Sequence, residues 1–143
     1  MEFKLVKGNE ISKYYNEKKY FTKNGSLGNS CMADEKKSTF RIYSENETKV
    51  QLLVYVDSDD KIHGRALLWK LKKSPCDAKY FMDRVYTNRD SDVIKFTNPK
   101  GQYVEAVEVR TDDTIYLVKI SDELVDSMDK YEEEEEEDVI IND

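Results

Sequence analysis

At 143 residues, 38% of them hydrophobic and 37% charged, the chain is the size of one domain and has enough apolar side chains for its own core. No apolar run approaches the roughly 20 residues that cross a bilayer. The opening "MEFKLVKGNE" has no apolar leader, so neither a membrane partner nor secretion is expected. The formal charge of −7 is an uneven average: residues 121–143 hold twelve acids and one base, which leaves the other 120 residues with a net charge of +4.

In chain order, "FKLVKG" reads as a first strand or an extended arm. Asn9 is placed to cap a helix through "EISKYYNEKKYF" with its side-chain oxygen, since first-turn amides lack partners. Ile11, Tyr14 and Tyr15 give that helix one apolar stripe. "NGSLGNS" breaks it as a turn, with Gly25 and Gly28 supplying backbone freedom and Leu27, Cys31 and Met32 turned inward. A second helix is predicted through "ADEKKSTFRIYSEN", with Asp34 and Glu35 near its positive end.

"KVQLLVYV", the polar turn "DSDD" and "KIHGRALLWKL" predict an antiparallel hairpin. "KYFMDRVYT" follows as a strand, with Tyr80, Met82, Arg84 and Tyr86 on one face and Phe81, Asp83 and Val85 on the other. "NRDSDVIKF" predicts a short helix stopped before Pro99. "QYVEAVEVR" and "TIYLVKI" predict a second hairpin, and "SDELVDSMDKY" a serine-started closing helix. The predicted fold class is α+β: a sheet of about five mostly antiparallel strands with helices on one face, one domain over 1–131, and a self-repelling, mobile acidic tail over 132–143.

Candidate chemistry is thin. "GSLGNSCM" lacks the lysine of a phosphate loop and joins two predicted helices, yet amides of Gly25, Gly28, Asn29 and Ser30 could hold an anion. Cys31 has one histidine to serve it, His63, which reads as mid-strand. Asp57, Asp59, Asp60, Asp90 and Asp92 fit turns and caps. Arg65 and Arg84, placed together on the face away from the helices, would form a cationic patch beside tyrosines; ion pairs across the sheet are the alternative. No cofactor, metal site or catalytic set is expected. Lysine clusters at 18–23 and 70–73 among ten tyrosines allow nucleic-acid or nucleotide binding, with the tail as a self-competitor. The acidic run Glu132, Glu133, Glu134, Glu135, Glu136, Glu137 and Asp138 could instead steer a basic protein partner through its field.

The order "YYNEKKYF", "GSLGNSCM", "FRIYSEN", "GRALLW" and "MDRVYT" over about residues 9–96 resembles a family of small uncharacterised proteins carried by tailed phages and other mobile elements. Ala33 departs from the family pattern, which often has arginine there, and "TNPKGQ" shortens the helix after "DSDVIKF". The resemblance implies an origin and not a reaction. Together with the small size, the lack of a catalytic set and the charged tail, that origin leads to the expectation of an accessory protein, acting in the cytoplasm of an infected cell, that binds and modulates or inhibits a host protein of defence or nucleic-acid-processing machinery.

Overall fold

The computed structural model describes residues 1–29, 41–73, 78–110 and 115–128. Six strands form one antiparallel sheet: β1 Glu2–Val6, β2 Val50–Val56, β3 Ile62–Lys70, β4 Tyr80–Thr87, β5 Val104–Arg110 and β6 Ile115–Ile120. Their order is β1-β2-β3-β4-β6-β5. The sixth strand is the N-terminal segment, which pairs with β2 through Phe3 opposite Tyr55 and Leu5 opposite Leu53. Both predicted hairpins form, β2 with β3 and β5 with β6. The second hairpin docks by its later strand: Tyr80, Phe81 and Met82 face Val118, Leu117 and Tyr116.

The sheet is covered on both faces, which corrects the expectation of helices on one. In β2, Leu52, Leu53 and Val54 are all fully buried. A run buried without alternation is what a central strand needs when both faces are dry. Leu53 packs with Ala66, Leu68, Met82 and Val118 under Phe96 of α4 (Val93–Thr97) and under Leu124 and Met128 of the helical residues 122–128. Leu52, Val54 and Ile62 pack on the opposite side under Ile11 of α1 (Glu10–Lys13), Tyr14, Tyr15, Tyr20 and Leu27 of α2 (Gly25–Asn29). Burial of each such aliphatic side chain contributes about 1.5–3 kcal/mol before entropy is counted. A further short helix, α3 (Arg41–Ser44), brings Tyr43 against the second layer.

The first predicted helix is broken. Asn9 has helical backbone angles and makes no side-chain cap, and α1 ends at Lys13. The Asn16 side chain accepts a 2.9 Å bond from the Lys18 amide, an alternative to helix continuation, and a 3-10 turn follows at Glu17–Lys19. Tyr20 then meets Ile62 as an isolated parallel bridge, which lays the arm that follows β1, residues 9–24, along β3. "NGSLGNS", read as a turn, contains the helix α2. The helix after β4 behaves as predicted: a 3-10 turn at Asp90–Asp92 leads into α4, and Asn98 is extended ahead of Pro99.

β4 does not alternate throughout. Between Arg65 and Leu67 the register skips from Tyr86 to Asp83, so Arg84 and Val85 together oppose Ala66. Met82 therefore lies in the first layer and Tyr86 against the second.

The β2–β3 turn ties the N-terminal arm to the sheet. Asp60 accepts from Lys4 at 3.2 Å, Lys19 at 2.7 Å and the Tyr14 hydroxyl at 3.2 Å. Its φ of +57° lies in the left-handed region. Burial pushes the Asp60 carboxyl up, but Lys19 and Lys4 outweigh that and hold it below the usual carboxylate range. A depressed pKa means that stability from this group is complete above about pH 4 and is lost as pH falls further. Asp60→Asn keeps the left-handed conformation accessible and removes the charge. It should lower stability by about 1 kcal/mol at neutral pH, and denaturant melts should show the gap to wild type narrowing below pH 4. A gap that stays constant down to pH 3 would assign the loss to the hydrogen bonds rather than the charge.

Candidate functional site

The glycine-rich segment is stapled to the end of β4. Gly25 has a φ of +68°, and a Cβ there would lie 2.5 Å from the carbonyl oxygens of both Thr87 and Asn88. At Gly28 a Cβ would lie 1.8 Å from the Lys23 carbonyl oxygen. The Ser26 hydroxyl accepts from the Thr87 amide at 2.9 Å, and Asn88 Nδ2 donates to the carbonyls of Thr22 and Asn24 at 2.8 and 3.0 Å. Leu27 is fully buried, as read from the sequence. Gly25 thus faces carbonyl oxygens, a surface that repels an anion, and both glycines are explained by close backbone packing. The backbone of Asn29 ends α2; Ser30, Cys31 and Met32 lie outside the described residues.

His63 is buried at the β2–β3 bulge, with Nε2 2.9 Å from Asp57 Oδ2 and its ring stacked on Phe21 at 4.3 Å. The Asp57 carboxyl is held low by this bond to His63, helped by the amides of Lys61 and Asp59. The pair closes the turn, while the Cys31 partner considered for it falls outside the described residues.

Arg65 and Arg84 are not brought together. Arg84 is exposed at the bulge, and its own amide donates to Asp83 Oδ1. Arg65 is 1% exposed and lies beneath the N-terminal arm, not on a face away from the helices. Its Nη1 donates to the Tyr20 hydroxyl. Its Cζ is 4.1, 5.3 and 5.7 Å from the ring centroids of Tyr15, Tyr20 and Tyr86. Nε and Nη2 have no hydrogen-bond partner, and no cross-sheet ion pair to Arg65 is found among the described residues. Burial pushes the Tyr15 hydroxyl well above its ordinary range, against a smaller pull downward from Arg65. Tyr15 therefore stays protonated and stacks as a neutral ring. Tyrosine faces attract a guanidinium, which accounts for the cage around Arg65. Three tyrosines from the arm and from β4 converge only after the arm folds back, a contact that strand alternation does not signal.

A second feature was not legible at all. A groove of about 340 Å³ runs beside β1, floored by Phe3, Tyr55, Tyr103 and Leu124. Phe3 meets Tyr55 at 4.8 Å and the edge of Phe96 at 5.0 Å, so the aromatic floor is fixed by ring contacts. Glu2, Lys95 and Glu123 form a charged rim. Among the described residues β1 is the end strand of the sheet, paired on one side by β2. These residues are spread from position 1 to 127, so no sequence window holds the pattern.

Of the lysines considered for nucleic acid, Lys19 is committed to Asp60 at 2.7 Å. The acidic run Glu132 to Asp138 lies outside the described residues. No helix among those described is long and apolar enough to cross a membrane. Comparison of the chain with protein families, with characterised proteins and with solved structures returns no match.

Proposed function

We propose that this chain is a protein-binding module, a phage-type accessory protein that captures an extended segment of a host protein and modulates or inhibits it. The observation that carries this reading is the aromatic-floored groove lying along an end strand. An unpaired strand edge supplies main-chain hydrogen bonds to an added strand, and adjoining pockets select alternate side chains. A volume near 340 Å³ suits one bulky apolar anchor.

Charge refines the partner. Glu2 and Glu123 stand at the rim with Lys95, Lys4 also lines the groove, and Ser127 stands beside them, so the excess of negative charge comes from the acidic run. The acidic run starts four residues after Met128, within about 14 Å of fully extended chain. A segment with an apolar anchor flanked by lysine or arginine is the complementary ligand, and the tail's field would raise its encounter rate. Proteins of nucleic-acid-processing or defence machinery, which carry basic surfaces, are the target class.

The test is capture from host lysate with three forms: wild type, a form ending at residue 131, and Ser127→Trp, which fills the groove without opening the core. Wild type should retain a defined protein. Ser127→Trp should lose it, and the shortened form should bind more slowly and with weaker salt dependence. Equal capture by Ser127→Trp, or no protein above background, would dismiss the groove as the site.

A further inference from the structure

Beyond protein binding, the unused edge of Arg65 has the form of an anion receptor. A guanidinium presents forks of two parallel donors, and the Nε–Nη2 edge is one of them. In this protein those two atoms are the ones without partners, while Nη1 is taken by the Tyr20 hydroxyl. The side chain is 1% exposed, and its described surroundings are tyrosine rings rather than carboxylates. Buried charged donors are ordinarily paired, so the Nε–Nη2 fork of this buried cation is suited to an acceptor group.

We propose that the Nε–Nη2 edge of Arg65 binds a small oxyanion, a phosphate or a carboxylate, inside the tyrosine cage. Two oxygens of one group accept from the fork in parallel. Tyr15 and Tyr20 are buried, whereas Tyr86 is half-buried. No covalent step is involved; the anion supplies a counter-charge that is not found beside Arg65 among the described residues. A nucleotide phosphate or an acidic side chain of a partner offers the same pair of oxygens.

The experiment uses the full chain, with inorganic phosphate and acetate as probes against chloride at matched ionic strength. In the wild type, phosphate should raise the thermal midpoint by a few degrees over chloride. The Arg65 Nε–Hε resonance should move in a saturable way over the same titration. A rise with acetate as well would mark the fork as a reader of any paired oxygens; a rise with phosphate alone would mark a phosphoryl site. Arg65→Lys keeps the charge but loses the fork, and should lose most of the increment. If Arg65→Lys or Arg65→Met keeps the full increment, phosphate is an adventitious ion only, bound elsewhere. Equal midpoints in phosphate, acetate and chloride, with a stationary Nε–Hε resonance, would overturn the proposal without any variant.

Discussion

Replacing Gly25 by alanine is expected to remove roughly 2–5 kcal/mol of stability, read from urea unfolding. Two costs combine. At a φ of +68° a Cβ meets its own backbone, a penalty of about 1–2 kcal/mol. The same Cβ would lie 2.5 Å from the carbonyl oxygens of Thr87 and Asn88, so the segment must also lift from the end of β4. Lifting it disturbs the bonds from Asn88 to the carbonyls of Thr22 and Asn24 and uncovers the site of Leu27. Against a whole-domain stability of about 5–15 kcal/mol, that is a large fraction. Gly25→Asn separates the two costs, because asparagine tolerates the left-handed region yet still carries the Cβ. It should recover about 1 kcal/mol and no more. A loss under about 0.5 kcal/mol for alanine, the range of neutral surface changes, would show that α2 is not held at this point.

Legibility followed the range of the interactions. The hairpin of β2 and β3 was readable because its turn and its β-branched run are adjacent in sequence, and the helix before Pro99 because the proline's restriction acts on its neighbour. The role of "FKLVKG" was not decidable locally: Phe3 and Leu5 become strand residues because Tyr55 and Leu53 stand across from them. Asn16 misled the helix reading by bonding to the Lys18 amide, a local competitor that residue spacing does not reveal. The bulge at Arg84 and Val85 flipped the inferred face of Tyr86, since one inserted residue reverses every later side chain. Arg65, read as half of a cationic patch with Arg84, was assigned to the wrong environment. Its strand was read as having one open face, and the arm that covers that face is fixed by Asp60, Lys4, Lys19 and Tyr14, residues up to 56 positions apart.

The burial of Arg65 sets up a contrast between two substitutions. Arg65→Ala should lose about 2–5 kcal/mol, the usual cost of emptying a fully buried position. Arg65→Met should instead fold and, in chloride, stand within about 1 kcal/mol of wild type or above it. The reason is the balance at the guanidinium. Burying a cation without a counter-charge costs several kcal/mol, and each tyrosine face returns only about 0.5–2 kcal/mol. Methionine keeps most of the stem's packing, and its sulfur still favours aromatic neighbours. It also removes two donors that have no partner. Chemical unfolding of the three proteins in one buffer measures the order directly. A methionine variant as unstable as the alanine one would show that the guanidinium itself, through Tyr20 and the ring contacts, holds the arm on the sheet. The predicted order, Met near wild type and Ala well below, would show that Arg65 occupies its place at a net electrostatic loss. A residue kept at such a loss needs a use outside folding, and the two open donors on its fork supply one.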